Sequence, residues 1–373
     1  MFNWQDQGII LRPDQDFELS SINDEVGNIQ NFTSPAIPLG DGRWRIWYSA
    51  YPEGNYKRFN IAYAEGVPGK KMQKYQACLS PGDAPETMFS ISNLPAGWRP
   101  IQPVLIRVPD AKFKLYFWAH APGIVRYLCA ESNDGRNFKV IDPYKPCLYH
   151  PNDRAVEKKM SGTEGLTNVK KTERPEGEPS APVHLICNDA TNVYLLPDNT
   201  FELYTVQLVP ISENSPAYVE HDNLKGMIRV IERRTSKDGL SWSNPKVVIR
   251  PDAKDPADLQ FYYLSVTYCN NTRIGILGHY RVKAQTMDFE FCFSKDGINW
   301  ERPYRKPCFP RSLQHDGLYG IYAPHSIVKY DSLYYLFYTG TNQTHNKKYN
   351  KGQREVNIRL AIAEDISLNF LKI

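Results

Sequence analysis

The carboxylates of this chain with the best prospect of sharing one reaction centre stand just before strand-like runs. Asp24 and Glu25 precede the first such run. Asp189 sits in Cys187-Asn188-Asp189-Ala190-Thr191-Asn192, Asp258 in Asp255-Pro256-Ala257-Asp258-Leu259-Gln260, and Asp316 in His315-Asp316-Gly317. If the runs that follow surround a common axis, these acids converge on one funnel. Two carboxyls on either side of a glycosidic bond can hydrolyse it: one protonates the leaving oxygen while the other activates water or attacks. A single Asp at such a place otherwise caps a turn by accepting from its own backbone. His345, His325 and His120 fall at or beyond strand ends, where they could bind a sugar hydroxyl or assist proton transfer. Trp118 and Tyr262 could stack on a sugar ring, and Asn192 is a further candidate for substrate binding. No His-x-x-x-His pattern or carboxylate cluster argues for a metal, so no cofactor is expected beyond an optional structural cation on the axis.

The elements that must position these groups are marked by a repeat. Ser236-Lys237-Asp238-Gly239-Leu240-Ser241-Trp242 recurs as Ser294-Lys295-Asp296-Gly297-Ile298-Asn299-Trp300, with an upstream copy in Ser132-Asn133-Asp134-Gly135-Arg136-Asn137-Phe138. Self-similarity at this interval signals a repeat architecture. Asp-Gly between two β runs is a hairpin signal, because the tight turn needs a positive φ that Gly adopts without strain. The turn Asp is therefore a structural residue on the outer rim.

Strand signals in front of these turns define the units. One unit reads Ser34–Pro38, Trp44–Ser49 and Asn60–Ala64; the next reads Pro103–Ile106, Phe113–Trp118 and Val125–Cys129. Later units start at Thr191, Phe261 and Ile321, which makes five. The segment Trp4–Asp14 parallels Trp242–Asp252, the outer strand after a repeat turn. It is expected to complete the last unit and close the ring, leaving no open edge. The expected fold is an all-β, five-bladed β-propeller closed by the N-terminal strand, a single domain over 1–373. The first two turns stand much further apart than the second pair, and the excess is a polar, Pro/Gly-rich stretch at about 150–185, expected to be a surface insertion.

Composition agrees with many short strands: 373 residues with 13% aromatics, 24 Tyr, 28 Pro and 23 Gly. The net charge of +4, without a Lys/Arg block, argues against nucleic acid or an anionic membrane as partner. No stretch approaches the roughly 18 apolar residues that span a bilayer. The first residues carry neither a basic n-region nor an apolar core, so a cytoplasmic location is expected. The seven Cys are scattered without CxxC pairing, which predicts buried free thiols rather than a disulfide frame. Oligomeric state is not encoded in any motif.

The repeated turns, Trp44-Arg45-Ile46-Trp47-Tyr48-Ser49, Asp255–Tyr262 and Leu336-Phe337-Tyr338-Thr339-Gly340 with His345 resemble the five-bladed propeller glycoside hydrolases, the superfamily of families 43, 32, 68, 62 and 117. The resemblance spans nearly the whole chain at the level of architecture. It implies a glycosidase acting on an oligosaccharide or polysaccharide, with an early catalytic Asp, a second Asp that orients or tunes, and a third acid as proton donor. Asp24 or Glu25 supplies the early acid; Asp189, Asp258 and Asp316 carry over by position in their blades. The chain lacks the Asn-Asp-Pro-Asn and Arg-Asp-Pro motifs of family 32 and shows no Glu in the donor position. Sialidases have a similar turn, but theirs is one residue longer and needs an Arg triad not found here. The alternatives are a non-catalytic propeller that binds glycans or a protein, and a glycoside phosphorylase, which needs a basic phosphate pocket.

Overall fold

The computed structural model describes residues 3–23, 25–52, 56–79, 89–110, 112–156, 190–309, 311, 318–345 and 353–364. These residues are all-β: they include a short 3-10 turn at Tyr56–Arg58 but no α-helix. Among them, no helix is long and apolar enough to cross a membrane.

Strand β1 (Gln5–Leu11) is followed by a first group of β2 (Glu25–Gln30), β3 (Ala36–Gly40), β4 (Arg43–Ala50), β5 (Asn60–Gly66) and β6 (Gln73–Gln76). Here β2 and β3 both pair with β4, so together they form one kinked first strand of an antiparallel sheet continued by β5 and β6. The next group holds β7 (Ser90–Ser92), β8 (Arg99–Arg107), β9 (Phe113–Ala121), β10 (Ile124–Ser132), β11 (Asn137–Val140) and β12 (Leu148–Tyr149). Its meander runs β8-β9-β10-β11, with β7 parallel on the outside. Then come β13 (Asn192–Leu195), β14 (Phe201–Pro210), β15 (Met227–Ser236) and β16 (Lys246–Ile249), which form a separate sheet in that order. The chain continues through β17 (Leu259–Cys269), β18 (Thr272–Arg281) and β19 (Thr286–Ser294), with Glu301 bridging to Phe293 at the outer position. It ends in β20 (Gly320–Tyr322), β21 (Val328–Tyr330), β22 (Leu333–Thr341) and β23 (Arg354–Glu364). Strand β1 pairs antiparallel with β23.

Middle strands such as β9, β10, β18 and β19 are buried almost end to end, without the in-out alternation of a one-faced sheet. Their polar residues, Arg126, Asp288 and Glu290 among them, are buried along with the apolar ones, because each sheet packs on both faces. Contacts between groups carry hydrogen bonds as well as apolar surface. The Gln102 N–H donates to Ser49 Oγ (2.7 Å), Asn192 Nδ2 to the Leu264 carbonyl (3.1 Å), Tyr263 Oη to the Ile321 carbonyl (3.0 Å) and the Asn31 N–H to Thr339 Oγ1 (3.0 Å). These bonds satisfy backbone and side-chain groups that would otherwise be buried unpaired.

The repeat turns have one construction. In the first, Gly135 N–H donates to Ser132 Oγ while the Arg136 and Asn137 amides donate to Asp134 Oδ1. The same bonds recur at Ser236/Asp238 and at Ser294/Asp296. Burial works to raise the Asp134 carboxyl, but these donors hold it far below the usual carboxylate range. The turn glycines have φ of 70°, 72° and 73°. Each later turn also seats a tyrosine of the preceding group: Tyr116 Oη donates to the Gly239 carbonyl (3.0 Å) and Tyr204 Oη to that of Gly297 (3.5 Å).

Most of the expected insertion at about 150–185 lies outside the described residues. Its first part, 150–156, is not on the surface. Asp153 is fully buried and receives Arg126 through Nε (2.9 Å) and Nη2 (3.2 Å), while Ala155 and Val156 pack on Tyr149. The cysteines described are free thiols.

The docked turns generate a prediction. Gly239→Ala places a Cβ against Tyr116 Oη at a positive φ, whereas Gly69→Ala meets the same backbone strain in open space. Thermal unfolding of both variants should show a loss of about 1–3 kcal/mol for strain in each, with an additional loss in Gly239→Ala alone.

Candidate active site

A cavity of about 350 Å³ opens where the first strands of the groups converge. The kinked first strand of β2 and β3 contributes Gln30 and Phe32; β8 contributes Gln102; β9 contributes Trp118 and His120. Arg229 enters from β15, Tyr262 from β17 and Tyr322 from β20. His345 and Arg354 complete the far wall, and His150 lies beside His120's group.

The backbone of the first strands and of the segments leading into them is irregular. Thr33, Gln102 and Ala190 hold φ of 61°, 55° and 62°, in the left-handed region that non-glycine residues avoid. Register slips between Ile101 and Val104 in β8, and between Phe261 and Leu264 in β17. Bulges of this kind re-aim side chains, and they gather beside functional sites. Thus β8 turns Gln102, and β17 turns Tyr262, toward the space that the strands enclose.

Arg229 is the dominant charge. Its guanidinium is buried, with Nη1 bound to Asp222 Oδ2 (3.1 Å) and Gln260 Oε1 (2.6 Å), and Nη2 to Asn223 Oδ1 (3.0 Å). It also lies over the Tyr280 ring at 4.8 Å and the Tyr262 ring at 5.5 Å. Burial would raise the Asp222 carboxyl, but the Arg229 charge and the hydrogen bond from Tyr280 Oη (2.8 Å) keep it below the usual range. This carboxylate stays ionised one layer behind the wall. Across the cavity, Glu25 stands behind Arg354 at 3.6 Å. Among the described residues, no Asp or Glu lines the cavity directly.

His345 and His120 are held neutral. His345 Nδ1 lies 3.1 Å from Tyr322 Oη, the His345 backbone N–H donates to the Gln285 carbonyl (2.8 Å), and the ring meets Tyr262 and Tyr280 edge-on at 5.1 and 5.0 Å. Burial, reinforced by the Arg229 charge, pushes its pKa down to about 4. Burial also pushes His120 down to about 3, with His150 adding to the effect. An imidazole with that affinity serves at neutral pH as a hydrogen-bonding group rather than a cation.

Of the residues expected from sequence, the structure brings His345, His120, Trp118 and Tyr262 together in this cavity. The Trp118 ring packs on Tyr127 and against His150, and is 1% exposed, so its faces are already covered. Two expected binding residues stand elsewhere. Asn192 is buried and tied to Leu264, and His325 stacks on Tyr194 at 4.5 Å with Nε2 2.8 Å from the Val193 carbonyl. His325 borders a second cavity of about 520 Å³ with Arg107 and Tyr268, on the far ends of the same strands. Asp258 accepts from Arg281 (2.6 and 3.1 Å) and from the Lys283 N–H (3.3 Å), outside the cavity lining. Burial opposes its ionisation, but Arg281 holds it below the usual carboxylate range. Asp24, Asp189 and Asp316 lie outside the described residues. Among the described residues, no group of three or more His, Cys, Asp or Glu is gathered for a metal.

Sequence reasoning missed Arg229, Asp222, Gln102 and His150. Two signals were available: Arg229 interrupts the apolar run Met227-Ile228-Arg229-Val230-Ile231, and Pro103 after Gln102 marks a bulge within a strand.

No family model matches the chain, and no curated protein matches it. Solved structures do share the fold. One described as a glycoside hydrolase is 12% identical, with a TM-score of 0.60 over 98% of this chain and 92% of its own. A second comes from a study of mannoside phosphorylases whose family contains glycoside hydrolases targeting β-1,2 mannosidic linkages in Candida mannan; it is 11% identical, with a TM-score of 0.58 over 98% and 96%. A third is an N-acetylgalactosamine deacetylase from F. plautii in complex with blood group B trisaccharide, 14% identical, with a TM-score of 0.55 over 96% of each chain. At these identities the likeness is one of fold.

The neutral histidines give a pH prediction. His345 has a folded pKa of about 4 against 6.5 for the free side chain, so the unfolded chain takes up its proton first. Its contribution to stability is complete above pH 6.5 and is lost as pH falls toward 4. Melting temperatures measured from pH 7 to 4 should fall less steeply in His345→Gln than in the unaltered protein. Parallel slopes would show that His345 is not held neutral.

Proposed function

We propose that this protein is a glycoside hydrolase that cleaves an oligosaccharide or polysaccharide in the cavity described above. One observation carries the reading. Every successive strand group contributes to a cavity of about 350 Å³ walled by aromatic rings, hydrogen-bonding side chains and the two arginines Arg229 and Arg354, a size and lining suited to one or two sugar rings. The fold shared with glycoside hydrolases at TM-scores up to 0.60 supports the same chemistry. In this reading the strand groups are the five blades of a propeller. The pairing of β1 with β23 supports closure of the ring by the N-terminal strand.

The acids assigned to the reaction are Asp24 or Glu25, Asp189 and Asp316. Asp189 directly precedes Ala190, whose strained backbone opens the third group, and Glu25 stands behind Arg354. One acid would protonate the leaving oxygen while another activates water or attacks the anomeric carbon. The carboxylate of Asp258, already committed to Arg281, has a lesser part.

A second reading, a glycoside phosphorylase, is favoured by the two arginines of the wall, Arg229 and Arg354. Phosphate would then replace water as the nucleophile.

Glycan digestion with and without added inorganic phosphate separates the two. Reducing ends released equally in both conditions support hydrolysis, and sugar 1-phosphate formed only with phosphate supports the second reading. For the hydrolase, Asp189→Asn and Asp316→Asn should each lower turnover by about 100-fold or more. Asp258→Asn should act chiefly on stability. Unchanged hydrolysis in Asp189→Asn, Asp316→Asn and Glu25→Gln alike would remove the assignment.

A further inference from the structure

We propose that Arg354 is the anion-recognising residue of the cavity, and that the sugar it receives is a uronic acid whose carboxylate pairs with the guanidinium. The inference rests on the carbohydrate reading above and names the substrate class within it.

The two arginines of the wall are in different states. Arg229 is 1% exposed, and its terminal nitrogens are committed, Nη1 to Asp222 and Gln260 and Nη2 to Asn223. Arg354 also lines the cavity, but its side chain keeps 21% of its surface accessible. Its ion-pair partner, Glu25 Oε1, lies 3.6 Å from Nη1. A charge-assisted hydrogen bond closes to about 2.7–2.9 Å, so this pairing is loose and leaves the fork of N–H groups unspent. Among the described residues, no hydrogen bond takes up those donors. Glu25 itself is drawn further back, at 8% exposure, and its other oxygen accepts from Ser20 Oγ (3.4 Å).

The backbone sets the position of this guanidinium. Arg354 opens β23 in register with Glu25 of β2, and Val356, two residues on, faces Asn28 of β2 and Thr341 of β22. Thr341 and Val356 line the same wall. The charge therefore stands at the end of a strand held between two others.

The rest of the wall offers an anion no repulsion. Among the described residues, no Asp or Glu lines the cavity, and His345, which feels both Arg229 and Arg354, stays neutral. A sugar hydroxyl can occupy one N–H of the fork but leaves the charge on the cavity side unmatched. A carboxylate accepts two in parallel and offsets that charge. A cavity of about 350 Å³ also has room for the ring that carries it.

The test compares methyl glycosides of glucuronic, galacturonic and mannuronic acid with those of glucose, galactose and mannose, and adds matched acidic and neutral oligosaccharides. Binding is read by calorimetry and saturation-transfer NMR at neutral pH. One acidic sugar should bind about tenfold or more tighter than its neutral counterpart, and added salt should narrow the gap. Arg354→Gln should remove the preference, whereas Arg354→Lys, which keeps the charge but loses the fork, should retain part of it. Neutral sugars bound as tightly as their uronic counterparts, or a preference that survives Arg354→Gln, would overturn the proposal. So would Arg354-dependent binding of inorganic phosphate or a sulfated sugar where no uronic acid binds. If no sugar of either kind binds, the carbohydrate reading itself falls and takes this assignment with it. Near-UV circular dichroism checks folding. Should Arg354→Gln fail to fold, Arg354→Lys decides, an undiminished preference placing the carboxylate elsewhere.

Discussion

Each sheet of this protein has to be buried on both of its faces, and most other features follow from that. A sheet covered on one face only reads as alternating apolar and polar residues. Here β9, β10, β18 and β19 are buried almost throughout, polar residues such as Arg126 and Glu290 included, because a neighbouring sheet lies on either side. Polar groups on those faces must then find partners across the seam, and the bonds from Gln102 to Ser49, Asn192 to Leu264 and Tyr263 to Ile321 are the result. The same seam has no room for a longer or bulkier repeat turn, since Tyr116 and Tyr204 sit against the turn carbonyls.

The crowding that stacks the sheets also shapes the cavity. First strands that converge cannot all stay regular, and the chain yields at Thr33, Gln102, Ala190 and the Phe261–Leu264 slip. Two of those breaks bring Gln102 and Tyr262 to the enclosed space. Burial then fixes the chemistry there: the His345 imidazole stays neutral, and the Asp222 carboxylate beside Arg229 offsets the cost of burying its charge.

The architecture was legible in the sequence to a greater depth than the site. Asp-Gly turns and apolar runs act locally, so Ser236–Trp242 and Phe113–Trp118 announce their own structure. A cavity wall is different, because it is assembled from residues far apart in the chain and its members carry no shared local signal. Asp258 illustrates the difficulty. It occupies the position expected of a reacting acid, yet its oxygens are taken by Arg281 and Lys283, partners that nothing in its own segment reveals. Gln102 is the converse: an ordinary amide in the sequence, it gains its interest from a bulge and from the hydroxyl of Ser49.

The pairing of β1 with β23 bears on how the molecule comes to be made. Strand β1 leaves the ribosome long before its partner β23 is made. Until then Ile9, Ile10 and Leu11, which end up half or fully buried, have no surface to cover them. The pairing closes a very long loop, and such a slow, high-contact-order step is exposed to misassociation between molecules. A nascent chain stalled before β23 would carry an adhesive leading edge, and rapid completion or a chaperone's shelter would govern the yield of native protein.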